Sequence, residues 1–94
     1  MTISKEVKNN LCKNLGANLS TIRAKTDISQ DELASKLGIT RQTITAIETK
    51  RRVMQWTTFV SMVLFFIRND EVRSIMELME IYTAEVKEAL EILH

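Results

Sequence analysis

The chain has 94 residues with 45% apolar and 27% charged side chains, enough for one modest core and too little for two. With no proline and only two glycines, Gly16 and Gly38, it lacks the turn residues of an all-β fold. The net charge of +1 hides a division: residues 1–69 carry eleven Lys/Arg against five Asp/Glu, and residues 70–94 carry two against seven. That sorting places a basic front toward a polyanion and an acidic rear away from it. Cys12 is the only cysteine and His94 the only histidine, so neither a disulfide nor a Cys/His zinc site is expected. Residues 1–11 hold no apolar stretch of the secretion-signal kind, which predicts a cytoplasmic protein.

Val7, Leu11, Leu15, Leu19 and Ile22 form one helical stripe between Ser4 and Lys25. Gly16 and several asparagines weaken it, which leaves one helix or two. Thr26-Asp27-Ile28 reads as a connection. Ser29-Gln30-Asp31-Glu32 has the form of a capping box opening a second helix through Leu33, Ala34 and Leu37, with Gly38 as its stop. Thr40 caps a third helix, which turns Ile44 and Ile47 inward and ends near Thr49.

Residues 53–67 are apolar at eleven of fifteen positions, too short a run for a membrane span of roughly 20 residues. A helix this apolar is buried on more than one side. Trp56, spaced with Phe59 and Val60, reads first as core. Asn69-Asp70 marks a break. Beyond it Val72, Met79, Val86 and Leu93 recur at sevens, with Ile75, Tyr82 and Ala89 between them. This predicts a single C-terminal amphipathic helix over residues 70–94. Its broad apolar face, widened by Met76, Leu78, Leu90 and Ile92, together with the fourth helix, predicts a dimer contact through Trp56, Val63, Phe66, Val72, Ile75, Met79, Tyr82, Val86 and Leu93.

Residues 30–49 carry the chemistry. Small Ala34 stands where two helices meet, Gly38 in the turn, and Leu33, Leu37, Ile39, Ile44 and Ile47 at inward positions. This is the pattern of a helix-turn-helix. The second helix turns Thr40, Arg41, Gln42, Thr45 and Thr49 outward, and such side chains suit base edges in a major groove. Lys50, Arg51 and Arg52 follow where a DNA backbone would run. No glycine loop for phosphate and no P-loop lysine is present, and no histidine lies within the folded body. An enzyme, a metal site and a cofactor are therefore not expected. Cys12 reads as a small core residue.

These residues resemble the Xre-type, phage-repressor-like helix-turn-helix family: Ile22-Arg23, Ile28 through Ala34, Leu37 through Ile44, and Ile47-Glu48. The resemblance covers roughly residues 15–67. It implies an all-α bundle of about five helices binding double-stranded operator DNA as a homodimer, and the chain is read as a DNA-binding domain over residues 1–69 followed by the C-terminal helix. Further implications of the resemblance are a phosphate contact by Gln30 beside Ser29, a groove-facing set of Thr40, Arg41, Gln42 and Thr45, and a structural ion pair between Arg23 and Glu48. The chain departs from the family at Asp27 (usually glycine), at Lys50 (usually Asn-Gly) and at Met54 (commonly proline). After Ile67 it matches nothing in the family. The leading reading is a transcriptional repressor. The other is an antitoxin-like interaction module whose C-terminal helix grips a partner protein.

Overall fold

Ser4 begins the first helix by accepting the Val7 N–H at 3.1 Å, and Arg23 and Lys25 suit the negative end of the helix dipole. The computed structural model describes residues 3–91, and α1 runs through it as one unbroken helix, Lys5–Thr26. Gly16 does not break it. A Cβ there would stand 3.3 Å from Ile47 Cγ2, so the glycine serves a close approach between helices. Two of its asparagines are also accounted for. Asn14 Nδ2 donates to the Met79 carbonyl at 2.8 Å, and Asn18 Nδ2 donates back to Asn14, tying α1 to the C-terminal segment.

Asp27, at φ 52°, turns the chain out of α1 in the place where glycine would be easiest. Both halves of the Ser29/Glu32 capping box form, at 3.0 and 3.2 Å, and open α2, Gln30–Leu37. Gly38, at φ 70°, ends it. Thr40 accepts the Thr43 N–H at 3.2 Å and opens α3, Arg41–Glu48. Lys50 then takes φ 64°, and the amides of Arg51 and Arg52 both return to the Ala46 carbonyl. This reversal delays the fourth helix, so α4 spans Trp56–Phe66 and residues 53–55 lie outside it.

Past α4 the structure departs from the expected single C-terminal helix. Asn69 caps α5, Asp70–Leu78, through the Val72 N–H at 3.1 Å. Glu80 then adopts φ 59°, and the amides of Ile81 and Tyr82 both donate to the Met76 carbonyl. Thr83 starts again, accepting the Val86 N–H at 3.2 Å ahead of α6, Ala84–Glu91. The seven-residue period is thus interrupted by a turn that contains no glycine. Folding back lets Val72, Met76, Ile81, Val86 and Leu90 all enter one core.

That core is built around α1, which touches α3, α4 and α5, while α2 packs on α3 and α4. Leu15, Leu19, Ile22, Leu33, Ile44, Phe59, Met62 and Val63 have no exposed surface. Among the described residues no polar or charged residue is buried, and all six elements are helices. No helix of the described residues is long and apolar enough to cross a membrane.

The left-handed residue between α5 and α6 gives a direct test. Glu80→Gly should raise stability by about 0.5–1 kcal/mol, the relief of left-handed strain less the freedom glycine adds to the unfolded chain. A thermal melt reads this as a rise of a few degrees. A drop would mean that Glu80 makes a compensating contact.

Candidate nucleic-acid interface

The position of α3 is set by one charged network beneath it. Arg23 of α1 grips Glu48 of α3 with two parallel bonds, Nε to Oε2 at 2.6 Å and Nη2 to Oε1 at 3.0 Å. Its remaining nitrogen, Nη1, donates to the Ile28 carbonyl at 3.0 Å, holding the connection ahead of α2. Gln30 of α2 donates from Nε2 to the same Glu48 carboxylate at 2.8 Å and accepts the Thr45 hydroxyl at 3.1 Å. Arg41 Nε approaches the same Gln30 oxygen at 3.4 Å. Three helices are therefore joined through side chains that are mostly shielded from water: Arg23 is 18% and Glu48 9% exposed.

Burial is the largest influence on Glu48 and pushes its carboxyl up. The hydrogen bonds from Arg23 and Gln30, with the Arg23 charge, together outweigh it and hold the group below its ordinary 4.5. Arg23 is pushed up, first by its hydrogen bond to Glu48. Burial also pushes the Cys12 thiol up, which keeps it protonated and unreactive at neutral pH.

Above the network lies the outward face of α3. Arg41, Gln42, Thr45 and Arg51 line one shallow concavity. Gln42 is exposed, and its side chain has no partner among the described residues. Arg41 stands 3.6 Å from Asp31 at an exposed position, and Arg51 is braced on the Thr49 hydroxyl at 3.1 Å. Thr49 itself donates to the Thr45 carbonyl. Lys50 and Arg52 are exposed and their side chains are unpartnered among the described residues. Ser29 and Thr40 act as caps at the starts of α2 and α3. Gln30 lies half-buried within the network, with the second hydrogen of its amide nitrogen left over.

The residues expected at a dimer contact do not stay together. Val63, Phe66 and Val72 are buried in the domain's own core, and the α5–α6 turn folds Val86 into it as well. Trp56, Ile75, Met79 and Tyr82 are half-buried, and Leu93 lies outside the described residues. Trp56 stacks on Phe59 with 4.8 Å between ring centres, and Lys8 covers its face at 5.3 Å. Leu78, by contrast, is 85% exposed. Its spacing from Ile75 already placed it on that side. Lys13 is not singled out by the sequence pattern. It lines the hollow beside Lys50 and Arg52, and the clue in the chain is Gly16, one turn away, where α1 comes close to Ile47 near the end of α3.

Residues 19–53 match the family model described as helix-turn-helix, which is the Xre, phage-repressor-like family. The match covers α2, α3 and the part of α1 that carries Arg23. No curated protein and no solved structure matches the chain. The segment is a helix-turn-helix of a DNA-binding regulator family, one not typically enzymatic.

The network yields a pH prediction. A carboxyl held below its unfolded value contributes stability that is complete above about pH 4.5 and lost as pH falls through the lower folded value. Urea unfolding between pH 2 and 7 should show that loss, and Glu48→Gln should flatten the acid limb. Arg23→Ala should cost about 1–3 kcal/mol at neutral pH, because it leaves the partly shielded carboxylate without its cation and two of its hydrogen bonds. An unchanged acid limb in Glu48→Gln would show that other carboxyls set it.

Proposed function

We propose that the chain is a sequence-specific transcriptional repressor that binds a two-fold operator as a homodimer and acts in the cytoplasm. The observation that carries this reading is the outward face of α3: Gln42 exposed and unpartnered, beside Arg41 and Thr45, on a helix clamped from below by Arg23 and Glu48. A reading surface must hold its donors and acceptors still while leaving them unsatisfied by the protein. Gln42 can pair two-fold with adenine, and Arg41 with guanine. Lys50, Arg51 and Arg52, with Ser29 and the spare amide hydrogen of Gln30, serve the phosphates on either side. Thr40 and Thr49 flank the groove-facing set.

For the dimer, α5 supplies the face. Ile75, Leu78 and Met79 share one side of it by helical spacing, and Leu78 is the most exposed large apolar residue described. Tyr82 follows in the turn, and Trp56 lies on α4. A two-fold contact there would cover Leu78 and set two α3 helices about 34 Å apart, one turn of DNA. In this arrangement residues 1–69 are the DNA-binding unit and the acidic residues 70–94 face away from phosphate. The same exposed Leu78 would suit a heterologous partner if the chain were instead an antitoxin-like module.

Two measurements test these assignments. Duplex affinity between 50 and 200 mM salt should fall with a log–log slope of about −5, for roughly six phosphate contacts per dimer. Within that binding, Gln42→Ala should lose about 1–3 kcal/mol of preference at one base position, while Arg52→Ala weakens specific and random DNA alike. Equal loss on both DNAs from Gln42→Ala would remove it from base reading. Sedimentation equilibrium then addresses the contact: the wild type should be a dimer, and Leu78→Glu should be a folded monomer. A wild-type monomer, or a dimer that tolerates Leu78→Glu, excludes this face. A stable complex with a second protein in place of the dimer would favour the antitoxin-like reading.

A further inference from the structure

Behind the C-terminal end of α3, α1 and the segment 50–54 enclose a cavity of about 310 Å³. It is there because Gly16 has no side chain and because Lys50, at φ 64°, swings the chain away from α3 before Met54 returns it. Cys12, Gly16, Ile47 and Met54 give it an apolar floor. Val53 stands at its wall and is 45% exposed, a large apolar side chain left facing water. Lys13, Lys50 and Arg52 also line it, no acidic residue does, and none of the three has a side-chain partner among the described residues. On the far side of Cys12 and Met54 the apolar surface continues into a second hollow reaching Trp56.

An apolar slot ringed by unpaired cations matches one chemistry. We propose that this cavity binds a small organic anion with an apolar body, of the medium-chain carboxylate class. Its carboxylate is held by Lys13, Lys50 and Arg52, and its chain lies over Gly16, Ile47 and Met54. The volume is at the small end of ligand sites, which run to roughly 300–1,000 Å³, and so suits a metabolite-sized molecule. Lys50 and Arg52 are also the residues assigned above to DNA phosphates. Resting on that reading, the ligand and DNA compete for the same two cations, and the anion releases the protein from DNA.

The test begins without DNA. Amide ¹H–¹⁵N spectra of the full chain are titrated with octanoate, octanol and acetate. Octanoate should give saturable shifts at Gly16, Ala17, Ile47 and Val53, octanol should bind about tenfold more weakly for want of the charge-assisted contacts, and acetate should give none at the same concentration. Ala17→Phe, on the exposed side of α1 and lining the cavity, should block octanoate and octanol alike. Lys13→Glu should weaken octanoate and leave octanol unchanged, and it serves alone if Ala17→Phe does not fold. No shifts, shifts elsewhere, or octanoate binding indifferent to these substitutions would overturn the site. With duplex present, octanoate should lower the affinity of the wild type but not of Ala17→Phe. Binding of octanoate without that loss overturns the competition. Binding of octanoate by a chain that takes up no duplex leaves the site standing and removes the DNA reading instead.

Discussion

Arg23, Glu48 and Gln30 lie in three different helices, and the orientation of α3 depends on their meeting. The outward face of α3 is useful only if it is presented at a fixed angle, yet α3 has just eight residues and contributes only Ile44 and Ile47 to the deep core. So short a helix has little stability of its own. Two apolar anchors limit how far it can move but leave it able to roll. The two parallel bonds from Arg23, with the Gln30 amide bonded to both Glu48 and Thr45, remove that freedom. Arginine is the apt residue, since its planar fork matches a carboxylate in two places where lysine would offer a point charge. The cost of shielding the two charges is met by the added bonds from Gln30 and to the Ile28 carbonyl.

Those same bonds alter what the basic front amounts to. Arg23 counts toward the positive charge of residues 1–69, but its charge is cancelled within the fold by Glu48. Arg41 is partly offset by Asp31 across an exposed gap that water and salt screen. Among the cations with no carboxylate beside them, Lys50, Arg52, the braced Arg51 and, from α1, Lys13 stand near the C-terminal end of α3.

The first half of the chain was legible because its signals are local. A capping box at Ser29, a left-handed stop at Gly38 and a hydroxyl cap at Thr40 each act within four residues, and each geometry formed. Gly16 was harder to read. As a break or as a place of close approach a glycine looks the same in one dimension, and only the position of Ile47 across the gap decides between them. The second half misled for a related reason. An apolar residue every seven positions says that one side wants burial, not what will bury it. Here the turn at Glu80 lets the domain itself bury Val72 and Val86. Nothing but Thr83 advertised that turn, since glutamate is a poor left-handed residue and gives no warning of one. The Asn14 bond to the Met79 carbonyl, joining residues 65 positions apart, helps hold the turn and is invisible without the fold.

The departures from the family pattern can now be placed in the fold. Asp27 adopts the left-handed geometry that glycine would give and keeps the chain path. Lys50 does the same where Asn-Gly is usual, but it adds a cation at the reversal, beside Arg52. Met54, where proline is common, sends a flexible apolar side chain back into the core at 5% exposure. A proline has no such reach and no thioether to lay against Gly16. In this chain Lys50 and Met54 make the segment after α3 one wall of a cavity with charge at its rim. Lys50 and Met54 both lie past Glu48, in a stretch that the Arg23–Glu48 network does not touch. α3 keeps its clamp while the loop behind it is left able to take on chemistry of its own.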